Sequence, residues 1–189
     1  MSWRRLLAAA AALAPVALGA GEARSPNIGQ PLPAFEATSI QGEALSLEAA
    51  IRSHKAVVIL FTSAVCPYAS YFADHVRDLS QAYGPQGVLF VGVNSNNWES
   101  REEVAEHARE RGFSFPMIKD EGHAIADLLG ADRTPEAYLV DSEGTLRYRG
   151  WVKSKQESPD LKRAIEAVLQ GRAVPRARTK AFGCAVDRY

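Results

Sequence analysis

A predicted unit of strand, cysteine and helix constrains the fold of this chain more than any other feature. Residues 57–61 form a continuous branched and aromatic run, which is typical of a strand buried on both faces. The run ends shortly before Cys66, and apolar residues then recur every three or four positions as far as Tyr83, which predicts an amphipathic helix. Pro67 suits the first turn of that helix. The sequence therefore predicts that a buried strand delivers Cys66 to a helix start.

Strand and helix patterns alternate along the rest of the chain. A weak edge strand at residues 35–40 precedes the unit described above. The apolar runs and caps that follow it predict strands at 87–93, 113–118, 136–140 and 145–148, and helices after Ser100, at 123–129 and after Pro159. This order predicts an α/β fold in which a central mixed β-sheet, with an antiparallel hairpin at one edge, is flanked by helices.

Composition favours a single domain and excludes one class of partner. The chain has 189 residues, of which 47% are apolar, and this suits one hydrophobic core. Lys plus Arg and Asp plus Glu both total 22, so no broad basic field exists to hold a nucleic acid backbone. We therefore expect no nucleic acid partner.

The N-terminus has the layout of a secretory signal peptide. Arg4 and Arg5 precede an apolar, alanine-rich run at residues 6–20, and small residues suited to cleavage follow. The alternative is an uncleaved membrane anchor, but the run is shorter than the ~20 residues that a spanning helix needs. We therefore expect a signal peptide at residues 1–23, a periplasmic or secreted mature protein, and no stable membrane insertion after cleavage.

Two further boundaries complete the expected organisation. Three prolines between residues 26 and 33 indicate an extended entry segment, so we place the folded domain at 27–171. Beyond Gly171 the chain is rich in arginine and has little apolar periodicity, which predicts a loosely docked C-terminal extension at 172–189.

Cys66 is the first candidate catalytic residue. A thiol over the first turn of a helix faces free amide groups and the positive end of the helix dipole, and both favour the thiolate. Because the thiolate is the nucleophile, this placement would activate Cys66 in the oxidising compartment that an exported chain meets. The alternative is an inert buried cysteine, a common fate of this residue type.

Thr134 and Pro135, just before a predicted strand, form the second candidate motif. A cis peptide here would turn the backbone groups before the proline toward a facing sulfur. An ordinary trans proline would only begin an edge strand. Taken alone, the dipeptide leaves both alternatives open.

Together these motifs resemble the thioredoxin-like superfamily. The likeness is greatest to its redoxin branch of secreted, peroxiredoxin-like (alkyl hydroperoxide reductase/thiol-specific antioxidant-like) proteins. It rests on segments 61–67, 91–96, 134–141 and 182–186 and runs from about Asn27 to the C-terminus. The resemblance implies a thioredoxin-like fold and a thiol-based oxidoreductase.

The resemblance also assigns roles to individual residues. Cys66 would be the nucleophile, and Ser63 would help to stabilise its thiolate. Pro67, Thr134 and Pro135 would shape the groove that binds the substrate. No organic or metal cofactor is implied, but a reducing partner protein must restore Cys66 if it turns over.

This chain departs from the family pattern in three places. Cys66 is followed by Pro67, Tyr68 and Ala69, so the second cysteine of a thioredoxin dithiol is absent. Ser63 replaces the usual peroxiredoxin threonine, and Ile59 replaces the proline that shapes a peroxide pocket. Arg133 is the candidate cation for holding thiolate and peroxide, and the alternative is a solvated loop arginine. The substrate is therefore either a thiol or disulfide protein or a peroxide.

Cys184 is the other cysteine of the chain, and three fates remain open for it. It would resolve an oxidised Cys66 by forming a disulfide, since a thiol on a mobile tail can approach and withdraw. Alternatively, the bond is a permanent staple of the tail. The third alternative is that the two sulfurs never meet.

Two other classes of function compete with an enzyme. A metallochaperone-like protein would need a cysteine four residues after Cys66, where the sequence has Ser70, and the four histidines are scattered rather than paired at metal-binding spacing. We therefore predict no metal site. A binding module that kept the fold and lost turnover is the remaining alternative, because a fold does not guarantee activity.

Overall fold

A mixed β-sheet organises the molecule, which a computed structural model describes over residues 25–154 and 158–188. The predicted signal peptide at 1–23 lies outside the described residues. In chain order the strands are β1 (Glu36–Thr38), β2 (Ala44–Ser46), β3 (Ala56–Phe61), β4 (Val88–Asn94), β5 (Met117–Lys119), β6 (Arg133–Thr134), β7 (Glu136–Asp141), β8 (Leu146–Gly150) and β9 (Cys184–Ala185). The α-helices are α1 (Leu47–Ser53), α2 (Pro67–Tyr83), α3 (Arg101–Glu110), α4 (Ala124–Leu129) and α5 (Asp160–Leu169).

The central sheet has the order β5-β4-β3-β7-β8. Strands β3, β4 and β5 are parallel, because each is joined to the next by a helix, whereas β7 runs antiparallel to β3 and forms a hairpin with β8. The predicted mixed sheet with an antiparallel edge hairpin is confirmed. Smaller two-stranded pairings join β1 to β2 and β6 to β9.

Strand β3 lies at the centre of the core and is buried on both faces, as its continuous apolar run predicts. Val58 and Leu60 point toward a cluster that includes residues of α2 and α5. Val57, Ile59 and Phe61 point to the opposite cluster, which includes residues of α1 and α4. Because successive side chains of a strand alternate between faces, one apolar strand supplies both halves of the core.

The two helices with the clearest sequence signals form as predicted. Helix α2 begins at Pro67 and ends at Tyr83, and it buries the apolar face that includes Phe72 and Val76. Ser100 caps α3 through a capping box, in which its side chain accepts from the Glu103 amide and the Glu103 carboxylate accepts from the Ser100 amide. Across residues 25–154 and 158–188, no helix combines the length and apolar character needed to cross a bilayer.

The C-terminal tail differs from the expected loosely docked extension. Cys184 and Ala185 of β9 pair with Thr134 and Arg133 of β6. Val186 is only 6% exposed and belongs to the core cluster on the α1 side of the sheet. A single buried side chain and one short strand create no periodicity in the sequence, so pattern analysis could not reveal this docking.

Candidate active site

Cys66 lies at the N-cap of α2, where strand β3 and a short loop deliver it. Its amide donates to the Ser63 hydroxyl oxygen at 3.1 Å. Its thiol donates to the carbonyl oxygen of Thr134 at 3.1 Å. The residue is 1% exposed. The position at a helix start agrees with the sequence analysis, while the depth of burial is a separate finding.

Thr134 and Pro135 face the sulfur across the site. The peptide bond between them is cis, so the open choice between a cis and a trans proline is settled in favour of cis. Thr134 is buried and its backbone pairs with that of Cys184. The Thr134 backbone therefore contacts both the thiol of Cys66 and the strand that carries the second thiol.

The two cysteines are both free thiols, and their side chains lie within hydrogen-bonding reach of each other. Burial disfavours the Cys66 thiolate, but hydrogen bonds from the Cys184 thiol and from the Ala69 backbone outweigh burial, so the pKa of Cys66 lies below its usual value. Burial and the adjacent Cys66 raise the pKa of Cys184 to about 11. Cys66 is thus the thiolate-forming member of the pair and Cys184 its proton-bearing neighbour.

A buried carboxylate holds the loop that carries Cys66. Glu99 is 1% exposed and accepts from the Ser63 hydroxyl at 2.6 Å and from the Ala64 amide at 2.5 Å. The side-chain amides of Asn94 and Asn96 donate to the same carboxylate at 2.9 and 2.7 Å. Four donors therefore satisfy this buried charge, as a buried ion requires. Because Ser63 donates to Glu99 and accepts from the Cys66 amide, its hydroxyl contacts the backbone of Cys66 rather than the sulfur.

Sequence reasoning missed Glu99 and the two asparagines. The signal that could have found them is their position, since they lie at or just after the end of β4, beside the end of β3 that leads to Cys66. Polar side chains that follow adjacent parallel strands meet at one edge of a sheet. Nothing in the spacing of Ser63 and Glu99 along the chain indicates that they touch.

The same polar cluster also holds the tail. The Asp187 amide donates to the Asn96 side-chain oxygen at 2.9 Å, and the Asn97 amide donates to the Asp187 carbonyl oxygen at 3.2 Å. A ring nitrogen of His123 lies 3.1 Å from that carbonyl oxygen. The loop that positions Cys66 and the tail that carries Cys184 are thus joined through one network.

The two other predicted site residues, Arg133 and Pro67, lie in different surroundings. Arg133 is exposed on β6, opposite Ala185, and its charge acts on Cys184, where it opposes the rise in pKa. Pro67 is the first residue of α2 and borders an apolar cavity of about 360 Å³, which also contacts Tyr68, Tyr71 and Phe182. The structure therefore brings Arg133 to the second cysteine and places Pro67 on an apolar wall beside the site.

No metal-binding cluster stands out in the part of the chain that the structure describes. Across those residues, no three His, Cys, Asp or Glu side chains converge as metal ligands. The two thiols and the carbonyl oxygen of Thr134 instead form a site suited to thiol–disulfide chemistry.

Known proteins similar to this chain carry out thiol chemistry. A family model described as AhpC/TSA family matches residues 28–149. Thiol-disulfide oxidoreductase ResA of Halalkalibacterium halodurans is 28% identical over 112 residues, which is 59% of this chain and 61% of that protein. Thiol:disulfide interchange protein DsbE of Escherichia coli K12 is 28% identical over 124 residues, which is 65% of this chain and 64% of that protein. The chain thus matches less than two thirds of the length of these relatives.

A solved structure extends the likeness over more of the chain. The crystal structure of an uncharacterized conserved protein from Geobacillus kaustophilus matches this chain with a TM-score of 0.78 and 30% sequence identity. The match covers 85% of this chain and 92% of the Geobacillus protein. Together with the sheet order, these comparisons confirm the expected thioredoxin-like fold and the resemblance to redoxins.

Proposed function

This chain belongs to the AhpC/TSA family, and we propose that it is an exported thiol oxidoreductase with Cys66 as nucleophile and Cys184 as resolving thiol. The proposal rests on the placement of the two thiols, which lie within hydrogen-bonding reach of each other, so that Cys184 lowers the pKa of Cys66 while burial and Cys66 raise the pKa of Cys184. A nucleophile needs the lower pKa, and a resolving thiol needs to lie within reach of it. The relatives named for thiol–disulfide exchange support the same chemistry.

The proposed reaction transfers two electrons to a disulfide substrate. The Cys66 thiolate attacks one sulfur of the substrate, forms a mixed disulfide, and releases the other sulfur, which takes up a proton. Cys184 then loses its proton and attacks the Sγ of Cys66, forming the Cys66–Cys184 disulfide and releasing the second substrate sulfur as a thiol. The substrate ends as two thiols, and the chain ends with one disulfide. A reducing partner that supplies a dithiol restores both cysteines.

The remaining site residues position these sulfurs. Ser63 and Glu99 fix the loop before Cys66, and Pro67 begins the helix whose amides favour the thiolate. Thr134 and Pro135 form the side of the site from which a substrate approaches. This chemistry requires neither an organic cofactor nor a metal.

A peroxide is the second candidate substrate, and the burial of Cys66 favours it. Because Cys66 is only 1% exposed, a small peroxide reaches its sulfur more readily than a folded protein does. The Cys66 thiolate would attack one peroxide oxygen and break the O–O bond, giving a sulfenic acid, while the other oxygen takes up a proton and leaves as water or an alcohol. The Cys184 thiol would then condense with the sulfenic acid, forming the same disulfide and releasing one water.

Export is part of the proposal and is supported by the basic, apolar and small-residue pattern of residues 1–23. An oxidising compartment keeps a Cys66–Cys184 disulfide intact until a partner reduces it. Mass measurement of the protein recovered from the periplasm or medium of an expressing bacterium tests this directly. A full-length chain retained in the cell would contradict it.

Intact mass of the reduced mature protein tests the chemistry. We expect the wild type to lose two hydrogens when treated with a small disulfide or with hydrogen peroxide. The matched variant Cys184→Ser should instead retain a mixed disulfide or one added oxygen at Cys66. Cys66→Ser should stay reduced under the same conditions. A wild type that stays reduced under both reagents would contradict the proposed enzyme and favour a non-catalytic binding module. A Cys66–Cys184 disulfide that no dithiol reduces would indicate a structural disulfide.

A further inference from the structure

The tail of this chain occupies the approach to Cys66. Strand β9 lies along β6, and Cys184 sits against the nucleophile, which is 1% exposed in this arrangement. A protein disulfide cannot reach a sulfur that is covered in this way. The tail must therefore move aside before Cys66 attacks a protein substrate, and the surface beneath it becomes available.

The contacts of the tail describe that surface in detail. Three alternate residues of the tail contact the body of the protein, on either side of and within the short strand β9. The Phe182 ring packs edge-on against the rings of Tyr68 and Phe72 at 5.7 and 5.9 Å. Cys184 meets Cys66, and Val186 is buried in the core cluster.

Gly183, between the aromatic residue and the cysteine, adds a steric requirement. Its φ is 140°, and a Cβ added there would collide with the carbonyl oxygen of Thr134. The surface therefore accepts an extended segment with an aromatic residue, glycine, cysteine, any residue and an aliphatic residue in succession.

We infer that this surface binds an extended segment of a substrate polypeptide with that pattern, in place of the tail. The inference rests on the proposed thiol–disulfide exchange and names its substrate class. A substrate cysteine held where Cys184 now lies would present its disulfide to the Cys66 thiolate. Because tail and substrate use the same edge of β6, return of the tail would deliver Cys184 to the mixed disulfide and expel the reduced substrate.

Peptide mixed disulfides provide the test. A peptide that copies residues 181–187 carries its cysteine as a mixed disulfide with thionitrobenzoate, whose release is followed by absorbance. Attack by the Cys66 thiolate joins the peptide to Cys66 and releases one thionitrobenzoate anion. Two matched peptides replace either the phenylalanine or the glycine with alanine. All three react with the reduced, mature Cys184→Ser protein, which removes the competing thiol of the tail.

We expect the copied peptide to react about 10-fold faster than the peptide without the aromatic ring, since ring contacts and burial both favour it. The peptide without glycine should be slower by a similar factor of about 10 because its side chain meets the Thr134 carbonyl. Phe182→Ala, added to the protein, should speed the reaction of every peptide, because the tail then competes less well.

The outcomes separate this inference from the proposed function. Equal rates for the three peptides, with no release by Cys66→Ser/Cys184→Ser, would overturn the substrate pattern and leave the nucleophile in place. Equal release by the doubly substituted protein would overturn the proposed function itself. A dimer in which one copy's tail sits on the other, detected as slower reaction at higher protein concentration, would replace a separate substrate polypeptide with a second copy of this chain.

Discussion

Gly183 packs directly against the carbonyl oxygen of Thr134, the same oxygen that accepts a hydrogen bond from the Cys66 thiol at 3.1 Å. Because position 183 has a φ of 140° and no room for a Cβ, Gly183→Ala should weaken the docking of the tail. Local strain of about 1–3 kcal/mol implies that Cys66 becomes accessible about 5- to 150-fold more often. We expect a matching rise in the rate at which iodoacetamide alkylates Cys66, measured by peptide mass analysis.

Gly171→Ala is the matched control for this prediction. Gly171 also has a positive φ, of 64°, but nothing lies within 4 Å of the position of an added Cβ. It should therefore strain the backbone without moving the tail, and the alkylation rate should stay at the wild-type value. Equal rates for Gly183→Ala and wild type would show that the tail does not limit access to Cys66.

The acidity of Cys66 should depend on its neighbour. Burial opposes the Cys66 thiolate, and the hydrogen bond from Cys184 is the largest effect that lowers the pKa. Cys184→Ala removes this donor, so the pKa of Cys66 should rise and the pH profile of alkylation should shift to higher pH. At neutral pH the variant then has a smaller thiolate fraction at Cys66.

Cys184→Ser separates the hydrogen bond from the thiol chemistry. A serine hydroxyl still donates but cannot form a disulfide, so the midpoint of its profile should lie between those of wild type and Cys184→Ala. The measurement is the pH dependence of iodoacetamide alkylation at Cys66. A midpoint for Cys184→Ala at or below the wild-type value would contradict the assignment of Cys184 as the stabilising donor.

Glu99 should contribute to stability through the loop before Cys66. Its carboxylate accepts four hydrogen bonds, and Glu99→Gln would place an amide nitrogen against groups that are themselves donors, such as the Ala64 amide. Unsatisfied buried donors cost about 1–3 kcal/mol each, so we expect a loss of that order in the free energy of unfolding. Urea denaturation measures it.

Glu102→Gln provides the comparison for Glu99. Glu102 is exposed in the first turn of α3, so its substitution should change the free energy of unfolding by less than about 0.5 kcal/mol. Similar losses for the two variants would mean that the buried network around Glu99 is not a source of stability.

Local chemistry explains how much of this site the sequence predicts. The apolar run of β3, the cysteine after it and Pro67 at the helix start lie within a dozen residues, and their patterns require no knowledge of the rest of the fold. The Ser100 capping box is local in the same sense. Such features are set by backbone geometry and by the burial of neighbouring residues, so they can be recognised one at a time.

Contacts between distant parts of the chain are what the sequence does not predict. Ser63 meets Glu99 across 36 positions, and Asp187 meets Asn96 across 91. These pairs form only because the parallel strands end at one edge of the sheet and the tail crosses that edge. Likewise, Arg133 was a candidate partner of Cys66, but the pairing of β6 with β9 places its charge beside Cys184.

A buried ion pair between Glu136 and Arg149, just after the cis proline in the chain, should contribute strongly to the stability of the protein. The Glu136 carboxylate lies 2.7 Å from the Arg149 guanidinium, and their side chains are only 4% and 8% exposed. Burial raises the pKa of Glu136, and the hydrogen bond and charge of Arg149 oppose that rise. Glu136→Gln removes the carboxylate that is hydrogen-bonded to the buried Arg149 guanidinium, and breaking a buried pair costs about 3–5 kcal/mol.

Glu48→Gln, in an exposed pair with Arg52, should cost less than about 1 kcal/mol by the same urea measurement. The double variant Glu136→Gln/Arg149→Met removes the buried guanidinium charge together with its carboxylate partner. If charge burial is the cause, the double variant should be more stable than Glu136→Gln alone. A further loss in the double variant would instead identify the contacts of Arg149 with the Tyr138 ring and the Gly130 carbonyl oxygen as the larger contribution.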